Sequence, residues 1–152
     1  MARALRTVCG PSVPVMLAYD ILDGTRRDAL PKLAILRDDF YLAGGTALAL
    51  QMGHRDSIDF DFFTERSFDT VKAYESLREA FGQDAVTKTQ EEKDTRSVLA
   101  GKEIRISLLS FPYPLIEPLV EEEYLRLASL RDIGCMKLSA IVSRSSFKDY
   151  VD

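Results

Sequence analysis

The chain has 152 residues, 46% hydrophobic and 29% charged, with a formal net charge of −4 and two cysteines. That suits one globular domain, 1–152, able to bury roughly 68–70% of its unfolded surface. The acidic balance excludes a global electrostatic pull toward nucleic acid or anionic membrane, and no apolar run nears the ~18 residues of a membrane-spanning helix.

In chain order, residues 1–23 carry no long element, because Pro11 and Pro14 interrupt them. The same prolines break the only apolar run near Arg3 and Arg6, which argues against a signal peptide. A helix is predicted over 24–37, burying Leu30, Leu33, Ala34 and Leu36. A strand at 40–43, a helix at 46–52 stopped by Gly53, and a strand at 57–63 follow. A helix capped at Ser67 or Asp69 runs to Phe81 with Val71, Tyr74, Leu77 and Phe81 on one side. Strands are predicted at 85–89 and 96–100, and Gly101-Lys102 turns the latter into a strand at 103–110. Pro112 and Pro114 end the sheet. Glu121-Glu122-Glu123 reads as a solvated face, and 132–143 as a helix with Ile133, Met136, Ala140 and Ile141 facing inward. Cys9 and Cys135 fit no metal pattern and read as free thiols of a reducing cytosol.

The segment from Phe40 to Thr64 holds the chemistry. A strand ends in Gly44-Gly45-Thr46, whose glycines let the backbone approach a ligand. The free N–H groups of the helix that follows suit an anion, and Thr46 adds a hydroxyl donor or caps that helix. It is not a Walker loop, since no Lys follows Gly45-Thr46. Strand alternation puts Asp59 and Asp61 on one face, with Ile58, Phe60 and Phe62 directed into a core. Adjacent carboxylates repel unless a cation or proton lies between them, and Mg²⁺ takes one or two carboxylates together with substrate phosphates. A polar strand face that meets only water is the plainer alternative. His54, the sole histidine, and Arg55 position the loop or touch phosphate.

The run from Leu42 to Leu50, then His54-Arg55, then Ser57 to Phe63, resembles the nucleotidyltransferase AbiEii/AbiGii toxin family. Ile104 to Leu109 with Phe111-Pro112-Tyr113-Pro114, Leu127 to Lys137, and Arg144 to Asp152 are similar to its later motifs. The resemblance covers roughly 33–152. It implies an α+β, polymerase-β-like nucleotidyltransferase fold, a mixed sheet flanked by helices. It implies a type IV toxin with a cognate antitoxin, cytoplasmic, moving a nucleotide from an NTP to RNA such as tRNA. Gly44, Gly45 and Thr46, with Arg55, would hold the NTP phosphates, Asp59 and Asp61 one or two Mg²⁺ ions, and Lys137 the triphosphate. Asp132 and Asp149 would complete the later motifs, with Arg144 and Lys148 in support.

Some alternatives stay open. Lys137 also reads as a snorkelling lysine among Met136, Leu138 and Ile141, and Asp132 as a helix N-cap. In an unbroken helix Lys137 and Arg144 form a two-cation stripe. Local RNA contacts would come from Arg26-Arg27 or from Arg144 with Lys148. The family fold commonly places a third carboxylate where this chain has Ser107, a poor base at neutral pH. Another group then deprotonates the acceptor, or the acceptor is more acidic, or turnover is weak. Compared with the family, the C-terminal helical part is short or missing. A catalytically weak or inactive NTP- or antitoxin-binding protein, and a small-molecule nucleotidyltransferase, are therefore the competing expectations.

Overall fold

The computed structural model describes residues 15–144, with the backbone alone at 144. Arg144 as a side chain, Lys148, Asp149 and Cys9 lie outside the described residues. After a 3-10 turn at Tyr19–Ile21 the elements are α1 (Gly24–Leu33), β1 (Tyr41–Ala43), α2 (Gly44–Met52), β2 (Asp59–Thr64) and α3 (Thr70–Phe81). Then come β3 (Val86–Glu92), β4 (Thr95–Ala100), β5 (Ile104–Ser110), β6 (Val120–Glu121), β7 (Arg126–Leu127) and α4 (Leu130–Arg144). Among the described residues seven strands form one sheet, in the order β3-β4-β5-β2-β1-β7-β6. β2 runs parallel to β5 and β1 parallel to β7, and the other pairings are antiparallel. The expected α+β class with a mixed sheet flanked by helices is what the chain adopts.

Alternation in β2 decides the layering. Phe60 and Phe62 are buried on one face beside Ile106 and Leu108 of β5 and Val98 of β4. Burying each phenylalanine stabilises the fold by roughly 1.5–3 kcal/mol. α3 covers β3 and β4; its N-cap is Asp69, which accepts hydrogen bonds from the Val71 and Lys72 amides. Gly53 ends α2 in the left-handed conformation, with φ of 62°.

Several expectations need correction. Ile58 is exposed, because the ladder of β2 begins only at Asp59 and the Ile58 carbonyl turns toward Arg26. Val71 is exposed, since the buried stripe of α3 centres on Ala73 and Leu77 and leaves it on the flank. The 24–37 helix gives way to a 3-10 turn at Ala34–Leu36, and Ala34 is only half-buried. The chain returns to the sheet after Pro112 and Pro114 through the short strands β6 and β7. The Glu121–Glu123 run is therefore more than a solvated face. Arg37 pairs with Glu121 at 2.6 Å and donates to the Glu122 carbonyl, while the Tyr19 hydroxyl donates to the Glu122 carboxylate. α4 starts at Leu130, two residues before the expected start.

Candidate active site

The strand β1 is buried along its whole length and delivers the chain into α2 at Gly44, which has φ of +67°. An L side chain is strained there. Space is short as well: a Cβ on Gly44 would lie 3.1 Å from Asp61 Oδ2. The register explains this closeness, since Ala43 of β1 pairs with Asp61 of β2. The glycine turn and the second aspartate, apart in sequence, thus form one corner. The first-turn amides of α2 have no intrahelical carbonyl to bond, and the helix dipole favours negative charge there.

Thr46 is spent differently from either sequence reading. α2 begins at Gly44 with Ala43 at the N-cap, so Thr46 does not cap it. Its buried hydroxyl donates to the Asp59 carbonyl and lies 2.6 Å from Ser57 Oγ. With its one proton given to Asp59, Thr46 accepts from Ser57. This clamp fixes the backbone under Asp59.

Asp59 and Asp61 are half-buried and share the face opposite Phe60 and Phe62. On the parallel neighbour β5, Arg105 is in register with Asp59 and Ser107 with Asp61. Ser107, where the resemblance leads to the expectation of a third carboxylate, receives a 3.4 Å hydrogen bond from Ser97 Oγ of β4. Among the described residues no group of three or more His, Cys, Asp or Glu side chains is arranged to hold a metal ion. Asp59 and Asp61 offer two hard oxygen donors on one strand face, beside a helix start whose amides suit an anion. That suits a cation that takes its other ligands from water and substrate phosphate. An open hollow of about 500 Å³, lined in part by Asp28, Lys32, Phe81 and Lys102, includes neither aspartate.

Other sequence candidates fall in different places. Lys137 is half-buried on α4, a helix packed against α2. Arg55 lies in the loop before β2 and donates to the Asp56 carbonyl at 3.2 Å. Asp132 is buried and is not the N-cap of α4: that position belongs to Ser129, whose Oγ accepts from the Asp132 amide at 3.0 Å. The Asp132 carboxylate accepts from the Ile116 and Glu117 amides at 2.7 and 3.1 Å and from Ser129 Oγ at 2.7 Å. It tethers the segment after β5 to the start of α4.

Arg26 and Arg27 are not a free basic cluster. Arg26 is 6% exposed and pairs with the α1 cap Asp23. It also donates to the Ile58 carbonyl at 2.7 Å and the Glu103 carbonyl at 2.8 Å. Arg27 donates to the Leu22 carbonyl. Arg26 thereby joins α1 to the residues just before β2 and β5, the two strands carrying the polar face. Nothing in the sequence around it signals that role, because its acceptors are backbone atoms 32 and 77 residues away. Its amide bonded to Asp23 holds that carboxyl below its ordinary range.

Residues 29–152 match the family model described as Nucleotidyl transferase AbiEii toxin, Type IV TA system. The chain belongs to the AbiEii nucleotidyl transferase toxin family. It is 41% identical over 133 residues to the uncharacterised protein aq_aa25 of Aquifex aeolicus (strain VF5), covering 84% of this chain and 63% of that protein. The crystal structure of a proposed nucleotidyltransferase from H. pylori superposes with a TM-score of 0.56 at 19% identity, over 84% of this chain and 62% of that one. JHP933 from Helicobacter pylori gives 0.54 at 20% identity, over 88% and 64%. At these identities the structural likeness is one of fold. The chain spans less than two thirds of the length of each of these relatives. Among its described residues no helix is long and apolar enough to cross a membrane.

Proposed function

We propose that this AbiEii-family chain is a metal-assisted nucleotidyltransferase that moves a nucleotide from an NTP onto RNA such as tRNA, and is held in check by a cognate antitoxin. The observation that carries this reading is the contact between the Gly44 turn and Asp61. It makes one corner of an anion-binding helix start and a carboxylate pair. In this reading the α2 amides and Arg55 bind the phosphate tail, with Lys137 reaching it from α4. Asp59 and Asp61 hold one or two Mg²⁺ ions, which when bound supply Lewis acidity and neutralise charge on the phosphates. The acceptor oxygen forms a bond to the α-phosphorus, the bond to the bridging oxygen breaks, and pyrophosphate leaves with the electron pair. Ser107 is a poor base, so the acceptor proton leaves to a group other than Ser107.

Ser107 supports a second reading. It stands beside Asp61, where a third carboxylate would help activate the acceptor, and its hydrogen-bond partner is another serine. On that reading the chain binds NTP or its antitoxin with little or no turnover.

The deciding experiment incubates the chain with Mg²⁺, each labelled NTP and total bacterial RNA, beside Asp59→Asn/Asp61→Asn. Label on RNA that the double variant loses is the expected result. Mg²⁺-dependent NTP binding without label would select the second reading, and label retained by the variant would overturn the assignment of the aspartates.

A further inference from the structure

The carboxylate face of β2 continues past Asp61 into a row of aromatic rings. Phe63 is two residues further along the same face, so roughly 6–7 Å from Asp61 along the strand. Its ring stacks on Tyr41 at 6.2 Å and meets Phe111 edge-on at 6.3 Å, and Phe111 meets Tyr113 at 4.9 Å. The row begins at a buried tyrosine and ends at Tyr113, which is 60% exposed.

The exposed end is held in place. The Phe111 amide donates to the Thr64 carbonyl at 2.8 Å, extending the β2–β5 pairing by one bond. Pro112 and Pro114 restrict the backbone on both sides of Tyr113. Beyond them, Asp132 ties down Ile116 and Glu117. A lone exposed aromatic is ordinary. A ring backed edge-on by a second ring, braced by two prolines and continuous with the carboxylate row, is a preorganised stacking platform.

We propose that Phe111 and Tyr113 form a platform on which a base of a single-stranded RNA acceptor stacks, at the far end of the aromatic row that leads away from the carboxylates assigned above to the phosphates. The inference rests on the proposed reading in taking RNA as the acceptor. One observation favours an acceptor base over the base of the NTP. The platform is open to solvent, whereas a site that must identify a small ligand encloses it. The chain carries a net charge of −4, so binding through counterion release has little general support. Stacking supplies affinity that tolerates any sequence.

The chain contains no tryptophan, so Tyr113→Trp introduces a single indole reporter. It is titrated with a short single-stranded oligoadenylate, an abasic oligomer of the same backbone, and ATP with Mg²⁺. Quenching by the oligoadenylate alone is expected. Tyr113→Ala is expected to weaken oligoadenylate binding roughly tenfold, with ATP binding and the salt dependence of RNA binding unchanged. Quenching by ATP alone would reassign the platform to the donor and overturn the proposal. So would equal quenching by the abasic oligomer, or RNA binding unaffected by Tyr113→Ala, the result if the ring serves a protein partner. These are binding measurements, so a chain that stacks RNA but transfers no nucleotide refutes the proposed reaction and leaves the platform standing.

Discussion

Asp61 sits over Gly44: a methyl group added to that glycine would lie 3.1 Å from the aspartate's Oδ2. The two residues are on different elements, and the register of an antiparallel pair brings them together. Gly44→Ala carries two costs. The left-handed backbone costs an L residue roughly 1–2 kcal/mol, and the methyl crowds the Asp61 carboxylate. The expected outcome is a stability loss of that size in urea unfolding, with transfer falling by on the order of a hundredfold through displaced geometry. Transfer at the parent rate would show that this contact lies outside the reacting site.

Arg26 supports the same face from below. Arg26→Met leaves the Ile58 and Glu103 carbonyls without their donor, a loss of roughly 1–3 kcal/mol. Arg26→Lys is expected to recover only part of it, because an ammonium cannot reproduce the planar fork that reaches separate acceptors. Urea midpoints of the three proteins test this. Equal stability of the Lys variant and the parent would mean that the fork geometry is irrelevant.

Asp132, which the resemblance assigned to a later motif, is used by the fold as a tether. Asn retains one acceptor oxygen where the carboxylate uses both. Asp132→Asn is therefore expected to destabilise the chain by roughly 1–3 kcal/mol and to speed hydrogen exchange at the Ile116 and Glu117 amides. If it abolished transfer with those amides still protected, Asp132 would act at the reacting atoms instead.

Tyr41 gives an alkaline prediction. Burial pushes its hydroxyl from 10.0 up to about 12, with Glu65 and Asp132 adding to the effect. The folded state holds the proton more tightly than the unfolded state. The contribution is therefore complete below pH 10.0 and is lost as pH rises toward about 12. The hydroxyl is also buried without a hydrogen-bond partner among the described residues. Tyr41→Phe is expected to change neutral-pH stability by about 1 kcal/mol or less and to flatten the alkaline fall. A residual slope should remain from Tyr19, which burial and Glu122 also push up to about 12. Urea midpoints on either side of pH 10.0 make the comparison, and an unchanged alkaline slope would remove Tyr41 from the account.

Local pattern was enough for much of this protein. Alternation alone put Asp59 and Asp61 on one face and Phe60 and Phe62 in the core, because side-chain direction along a strand depends only on position. Gly53 and Asp69 could be read as helix boundaries for a similar reason: capping is satisfied by atoms within a turn of the residue. The two-residue strands β6 and β7 were not legible, since two residues carry no periodicity and exist only through their pairing partners.

The site was split in the same way. The sequence by itself determined which groups could handle phosphate and metal, because those chemistries need particular residue types at short spacings. Only the tertiary structure decided that Gly44 meets Asp61, that the Thr46 hydroxyl is committed to Asp59, and that Arg26 is a buried brace between α1 and the residues before β2 and β5. It likewise decided that Asp132 anchors a segment and that Phe63, Phe111 and Tyr113 form one row. Each of these depends on strand register or on a bond to backbone far along the chain, and neither is encoded in the identity of the residues involved.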